Sequence, residues 1–515
     1  MSITPQQSDQ NPNDPSIRTE HKKASLVIIY HREPHDEVVD ENGVVHYVEK
    51  KSPNGIVPTL KSFFSSVDQG TWIAWKPCET GTPDFPERVS VENDSYTVRR
   101  IPLTEQQIND FYHITSKEAF WPILHSFPYH FTYETSDWAN FHEVNRRFAE
   151  AAVDEATDDA LIWVHDYNLW LAPHYIRKMK PNARIVFFHH TPFPAPDIFN
   201  ILPWREEIVD SLLDCDVVGF HIPRYAENFA NVARSLRPVE VLAREDVSKS
   251  HMTPVGTALA EPEVTTCLGY KGREIRLNAF PVGTSPKQIL DRINSPEGQA
   301  KIRDIRAEMD GSKLIVSVGR VDYVKGTREM LQAYERLLER RPELHGQIRL
   351  MTTSVASAKG MRIYDEPQHQ IEHVAGRING KYSTFEWTPV VLTTNPVPFE
   401  DLVCYFKAAD ICWVTPLRDG LNLVNKEYIV AKEGRDGVLI LSEFTGAAVE
   451  LPDALLTNPY SQDRMDTDID RALDMSPEEQ KERMSKMYNT VTEYDAQRWA
   501  DQLFKLLDLE VDVSA

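Results

Sequence analysis

The sequence predicts an α/β protein with two doubly wound domains facing each other across a cleft, and three observations predict it. The chain has 515 residues, too many for one ordinary hydrophobic core, so two domains are expected. Short continuous apolar runs alternate with longer amphipathic stretches in two successive series. Runs of that kind are strands buried on both faces, and strand-helix alternation builds parallel sheets. Finally, several runs end in charged or polar residues, at the edge where open α/β sheets bind ligands.

The elements follow in order. The lead-in, residues 1–23, is rich in Pro, Gln, Asn and Asp and has no apolar core. It is expected to be disordered rather than a secretory signal. The first series is expected to form an N-terminal domain, 24–284. It offers SLVIIYHR (25–32), TWIAW (71–75), ALIWVHDY (160–167), ARIVFFHH (183–190) and DVVGFHI (216–222). The second is expected to form a C-terminal domain, 285–490. It offers KLIVSVGR (313–320), QIRLMTTS (347–354), TPVVLTT (388–394), DICWVTPL (410–417) and GVLILSEF (437–444). Helix-like stretches such as TREMLQAYERLLERRPEL (327–344) and FEDLVCYFKAAD (399–410) lie between strands. The seam is placed within 282–312. In the last segment, 491–515, the helix AQRWADQLFKLLD (496–508) is expected to pack back towards the N-terminal domain.

Bulk chemistry narrows the function. Apolar residues make up 41% and charged residues 26%, both ordinary for a globular protein. Lys+Arg is 56 against Asp+Glu 78, a formal net charge of −22. That excess argues against non-specific nucleic-acid binding and against docking on anionic membranes. Any phosphate-bearing ligand must then be met by a local cluster of Lys and Arg. Cys78, Cys215, Cys267, Cys404 and Cys412 are odd in number and contain no C-x-x-C pair. Buried free thiols are the expected reading, not a disulfide framework or a zinc site. No apolar run reaches the roughly 18 residues that a membrane span needs, and the cytoplasm is the expected location. Neither metal nor cofactor is expected, and a homo-oligomer stays open.

Arg32, His165 with Asp166, His190, Arg320 and Asp419 all end predicted strands. One such residue is a capped strand end; five in one register suggest a site. In TPLRDGLNLVNKEYIV (415–430), Arg418, Asp419 and Gly420 separate a buried strand from a helix, whose first N–H groups are free for an anion. Arg320 and Lys325 flank the start of another helix, a setting that suits a leaving diphosphate. An isolated pair of this kind is more simply a solubilising surface feature, and the 415–430 stretch reverses that preference. Glu427 is placed to accept both hydroxyls of a ribose, the alternative being a solvated helix face. His190 is fixed by the stiff turn Thr191-Pro192-Phe193-Pro194; alone, it and Asp166 read as structural. Asn54 and Gly55 bring backbone close to a ligand or simply make a turn. No Walker loop, G-x-G-x-x-G or G-x-S-x-G is present, so neither a kinase nor a nicotinamide enzyme is supported.

Seven segments carry a resemblance: WVHDYNLWLAP (163–173), FFHHTPFP (187–194), ILPWREEIVDSLLDCDVVGFH (201–221), VGRVDYVKG (318–326), AGRINGKY (375–382), TPLRDGLNLVNKEY (415–428) and LILSEFTGAAVELPDALLTNPY (439–460). Together they resemble the trehalose-6-phosphate synthase family of retaining glycosyltransferases, whose fold is GT-B, two Rossmann-like domains. The resemblance covers most of the chain after residue 24. It implies that Arg320 and Lys325 hold the donor diphosphate, that Leu423, Val424 and Glu427 hold nucleoside and ribose, and that Asn54 and Gly55 line the donor phosphates. It places Asp419 and His190 on the glucosyl hydroxyls, with Gly420 beside them, and Arg32, Tyr112, Trp121 and Asp166 on the acceptor. Arg320, Lys325, His190 and Asp166 are the implied catalytic set.

YHREPHDE (30–37), KKSPNGIVPTLKSFF (50–64), FYHITSKEAFWPILHSFP (111–128) and GFHIPRYAENFANVARSL (219–236) are similar to one branch of the family. That branch transfers glucose from ADP-glucose to sn-glycerol 3-phosphate, towards the osmolyte glucosylglycerol made under salt stress. One departure supports this branch. Where trehalose-forming members carry an arginine that grips the phosphate of glucose 6-phosphate, this sequence has Ala358; Lys359 and Arg362 are the nearby cations for a differently placed phosphate. With no carboxylate forced into a nucleophile's place, front-face substitution with retention is implied. The alternatives are a glucose 6-phosphate acceptor or a catalytically silent sugar-nucleotide sensor. A sensor predicts losses at Arg320, Lys325, Asp419 or Glu427, and all four are present. No D-x-D-x-T motif occurs, so a separate phosphatase is expected downstream.

Overall fold

The computed structural model describes residues 22–49, 56–79, 85–90, 96–247, 257–355, 362–434 and 436–506. Residues 1–21 of the lead-in, Asn54, Gly55, Ala358 and Lys359 lie outside the described residues, as does the side chain of Arg362.

Twelve described strands come from the first half of the chain: β1 (Ala24–Ile29), β2 (His35–Val39), β3 (Val45–Glu49), β4 (Gly70–Pro77), β5 (Arg88–Ser90), β6 (Tyr96–Leu103), β7 (Ala156–His165), β8 (Arg184–Phe188), β9 (Val217–Phe220), β10 (Glu240–Asp246), β11 (Glu263–Tyr270) and β12 (Arg273–Ala279). β2 and β3 form a separate hairpin. The other ten form one sheet in the order β10-β11-β12-β9-β8-β7-β1-β4-β6-β5. The second half supplies β13 (Lys313–Arg320), β14 (Ile348–Val355), β15 (Val390–Thr393), β16 (Ile411–Val414), β17 (Val438–Ser442) and β18 (Leu455–Thr457). They form a second sheet, β15-β14-β13-β16-β17-β18, parallel throughout.

The central strands bury both faces, as their sequences require. β9, β16 and β17 have every residue buried, which needs helices on both sides. Helix Thr327–Arg340 supplies one such cover. Its buried Met330, Leu331, Tyr334, Leu337 and Leu338 recur at helical spacing. The first sheet departs from an all-parallel reading at its edges. β10, β11 and β12 pair antiparallel, and β5 pairs antiparallel with β6. β6 was hidden in sequence by Arg99 and Arg100. The structure buries Arg100 by pairing it with Glu33 and Glu37, at 2.5 and 2.7 Å.

Strand order reverses once in the parallel core of each sheet. In the first it reverses beside β1, which lies between β7 and β4; in the second, beside β13, which lies between β14 and β16. Ligands bind at such switch points, outside the carboxyl ends of the strands. The helix Ala496–Leu506, which follows the second sheet in the chain, packs against the first half: Trp499 sets its ring 5.2 Å from Trp163, 5.0 Å from Phe188 and 5.8 Å from Phe63. Its first N–H also donates to the Thr284 carbonyl, 3.0 Å away.

Candidate active site

Both switch points open into one cavity of about 190 Å³. From the first sheet come Arg32 after β1, Asp166 after β7 and His190 after β8; from the second come Arg320 at the end of β13, and Asp419 and Gly420 after β16. Tyr112, Trp121 and Lys325, also expected at the site, line the same cavity.

Two glycines make this convergence physically feasible. Gly326 has φ +64, and a Cβ there would lie 2.1 Å from the Thr415 carbonyl oxygen. It lets the turn carrying Lys325 press against the end of β16. A Cβ on Gly420 would lie 2.4 Å from the His190 carbonyl oxygen, so the two domains touch backbone to backbone at the site.

On the second domain, Lys325 Nζ donates to Asp419 Oδ2 at 2.7 Å, and Asn422 Nδ2 donates to the same oxygen at 3.1 Å. Burial pushes the Asp419 carboxyl up, but Lys325 and Asn422 outweigh it and hold the group below the usual carboxylate range. Glu427 sits in the first turn of helix Val424–Lys432 and is 8% exposed. Burial alone raises its carboxyl to about 7. Leu423 and Val424, half-buried, open the same helix. These three stand beside the cavity rather than in its wall.

On the first domain, Arg32 Nη2 donates to Tyr112 Oη at 2.7 Å. Asp166 has φ 71, an uncommon backbone state for a residue with a Cβ, of the kind found at functional sites. Its Oδ1 accepts from the N–H groups of Tyr167 (3.1 Å) and His190 (3.4 Å). Burial still dominates and raises its carboxyl to about 6. His190 Nε2 lies 3.1 Å from His165 Nδ1. Burial, aided by His221 and His189, drives the His190 pKa well down, so the ring is neutral at neutral pH.

Sequence reasoning missed His31, His125, Asn168, Thr191 and Lys117 in the wall of this cavity, and Asp322, which accepts from the Trp121 ring N–H behind it. Lys117 is the most consequential. It lies on Asn109–Phe120, where the helix widens to i→i+5 hydrogen bonding, as in the bond from Trp121 N–H to the Ser116 carbonyl. Its ammonium stands 3.9 Å from the Trp121 ring centre, 5.6 Å from that of Tyr112 and 5.9 Å from that of Tyr167. All five cysteines are free thiols; Cys215, Cys404 and Cys412 are buried and Cys78 and Cys267 are half-buried. Among the described residues no cluster of potential metal ligands and no helix long and apolar enough to cross a membrane is found.

The sequence profile of glycosyltransferase family 20 matches residues 24–508. The chain belongs to glycosyltransferase family 20. Its fold is accordingly GT-B, and it is a glycosyltransferase. Among family-20 relatives, a glucosylglycerol-phosphate synthase of Synechocystis sp. is 61% identical, over 94% of this chain and 97% of that protein. A second synthase of that name, from Picosynechococcus sp., is 58% identical with the same coverage. Among solved structures, an α,α-trehalose-phosphate synthase (UDP-forming) from Burkholderia xenovorans in complex with glucose-6-phosphate is 29% identical with a TM-score of 0.81. That likeness covers 94% of this chain and all of the other.

Proposed function

We propose that the chain moves glucose from ADP-glucose to sn-glycerol 3-phosphate with retention of configuration. The products are ADP and 2-O-(α-D-glucopyranosyl)-sn-glycerol 3-phosphate. The observation that carries this reading is the single cavity joining Arg32, Tyr112, Asp166 and His190 to Arg320, Lys325 and Asp419. The choice of acceptor rests on the two relatives at 61% and 58% identity.

In this reading the donor lies against the second domain. Glu427 accepts the ribose hydroxyls, and the start of helix Val424–Lys432, with Leu423, faces the nucleoside. Arg320 and Lys325 meet the diphosphate, whose negative charge grows as the glycosidic C–O bond breaks. Asp419 and neutral His190 receive the glucosyl hydroxyls. Arg32, Tyr112, Trp121 and Asp166 face the acceptor. Its hydroxyl attacks on the face the nucleotide leaves, and the departing β-phosphate oxygen takes the hydroxyl proton. The bond broken is between the anomeric carbon and phosphate oxygen; the bond formed joins that carbon to the glycerol oxygen. The backbone contact at Gly420 shields the site from water when the domains close. A cytoplasmic, osmolyte-forming role and a downstream phosphatase acting on the phosphorylated product complete the proposal.

The test is nucleoside diphosphate release from purified protein, crossing ADP-glucose and UDP-glucose with glycerol 3-phosphate and glucose 6-phosphate. Release with ADP-glucose plus glycerol 3-phosphate supports the reading. Release with glucose 6-phosphate instead moves the chain to trehalose 6-phosphate formation, and donor binding without release with any pair points to a sensor.

A further inference from the structure

Lys117 has no role in the scheme above, yet it is 6% exposed and faces the cavity. An ammonium held this deep is costly unless something answers its charge. The answer within the protein is weak. Three aromatic rings surround it, Trp121 most closely, and a cation–π contact offsets only part of the lost hydration. The Lys117 ammonium forms no hydrogen bond or ion pair with a described residue. Asp322 Oδ1 accepts from the Trp121 ring N–H (3.4 Å) and the Val324 N–H (3.2 Å); the carboxylate attracts Lys117 through space without pairing with it. Burial, with Arg320 and Arg32 adding to it and Tyr112 and Asp322 opposing, lowers the Lys117 pKa.

The neighbours explain what is missing. Arg32 and Arg320 line the same cavity and likewise form no ion pair with a described carboxylate, whereas Lys325 is matched by Asp419. The Tyr112 phenol lies among these cations. Burial opposes its ionisation, but Lys117 first, then Arg32 and Arg320, bring it down to about 8. With Arg320 given to the donor diphosphate, Lys117 and Arg32, neither of them in an ion pair with a described carboxylate, flank one acidic hydroxyl and form a receptor for a small multivalent anion, and phosphoryl oxygens are the chemistry that fits.

We infer that Lys117 grips a phosphoryl group in the cleft, and that this group belongs to the acceptor; the inference rests on the proposed transfer to glycerol 3-phosphate. Lys117 lies on the same widened helix as Tyr112, whose hydroxyl Arg32 holds at 2.7 Å. The donor diphosphate has its own reception on the other domain, at Arg320, Lys325 and the helix start after Gly326. Lys117 therefore sets acceptor specificity by demanding a phosphate within reach of the attacking hydroxyl.

The experiment compares full-length wild type with Lys117→Met, Lys117→Gln and Lys117→Arg. ADP release is measured with glycerol 3-phosphate and with glycerol, and ADP-glucose affinity by calorimetry without acceptor. Loss of one charge-assisted hydrogen bond raises KM for glycerol 3-phosphate about 10- to 100-fold in the Met and Gln variants. ADP-glucose affinity and the slow release of ADP with glycerol stay within about threefold, and Lys117→Arg recovers most of the loss. In the wild type, inorganic phosphate competes with glycerol 3-phosphate and not with ADP-glucose, an arm that needs no variant to fold. A fall in ADP-glucose affinity with acceptor KM unchanged assigns the phosphate to the donor and overturns the inference. Equal losses with both acceptors mean a packing role and overturn it too. Wild type that releases no ADP with glycerol 3-phosphate sinks the proposed reaction instead, whatever the variants do.

Discussion

Replacing Lys325 separates stability from catalysis at the donor side. Its ammonium meets Asp419 Oδ2 at 2.7 Å, with side chains 19% and 14% exposed. Removing one partner of a buried pair leaves the other charge without an answer, a loss of about 3–5 kcal/mol where burial is complete. Here Asn422 keeps one hydrogen bond to the same oxygen at 3.1 Å. The partial exposure lowers the figure further, to about 2–3 kcal/mol. For a domain of this size that is a fall in Tm of roughly 5–10 °C. Lys325→Met also loses a donor aimed at the developing diphosphate charge, so kcat falls about 100-fold or more. Adding Asp419→Asn removes the stranded charge. Lys325→Met/Asp419→Asn is therefore expected to melt within about 2–3 °C of wild type while staying as inactive as the single variant. Thermal melts followed by fluorescence, run beside ADP-release assays, read both quantities. If the double variant melts no higher than Lys325→Met, the lysine is not there to answer Asp419, and the pairing argument fails.

Four further outcomes follow from the same geometry. Glu427→Gln should raise KM for ADP-glucose about tenfold or more without lowering Tm, because the amide removes a buried charge while losing the ribose acceptor; a lower Tm with unchanged KM would refute this. Asp166 has a folded-state pKa of about 6, above the ordinary carboxylate value, so it contributes stability that is lost as pH rises from about 4 through 6. Asp166→Asn should thus melt at or above wild type at pH 7.5 while losing activity, and a marked drop in Tm would show that its bonds to the Tyr167 and His190 N–H groups matter more. Gly420→Ala drives a methyl against the His190 carbonyl and should cut kcat at least about tenfold while leaving ADP-glucose affinity largely intact; unchanged kcat means the domains have room to spare. Trp499→Ala removes a 1% exposed ring shared by Phe63, Trp163 and Phe188 and should cost about 3–5 kcal/mol, seen as a lower denaturation midpoint.

The parts legible in the sequence share one property: their signal is local. Continuous apolar runs such as ICWV and VLILS announced buried strands, and polar residues at run ends marked Arg32, Asp166, His190, Arg320 and Asp419. What the sequence concealed depended on tertiary context. YTVRRIPL gives no continuous apolar run because two arginines interrupt it, and only Glu33 and Glu37 from elsewhere in the chain make Arg100 buriable. Lys117 stands five residues after Tyr112. In an ordinary helix of 3.6 residues per turn that separation points the two side chains to different faces. Where hydrogen bonding runs i→i+5 the faces nearly realign, and both line the cavity. No pattern rule for regular helices finds such a pair.

The charge inventory of the cleft also decides which groups can make the enzyme respond to pH. A rate that falls on acidification through pH 6–7 is ordinarily assigned to histidine. That assignment does not suit five of the histidines in and around this site. Burial pushes His125, His189 and His221 down to about 3, and His165 and His190 well below their ordinary value. None of them gains a proton in the useful range. The groups poised there are carboxyls that burial has raised, Asp166 to about 6 and Glu427 to about 7. On the proposed reading each acts only when ionised, as an acceptor of sugar or acceptor hydroxyls, so activity should fall as pH drops through that window. Temperature tells the two chemistries apart, because imidazole releases its proton with a large heat and a carboxyl with almost none. The acid limb measured at 15 and 35 °C should therefore stay in place. A limb that moves to lower pH on warming would return the titration to a histidine and show that these rings are less sealed from water than their burial implies.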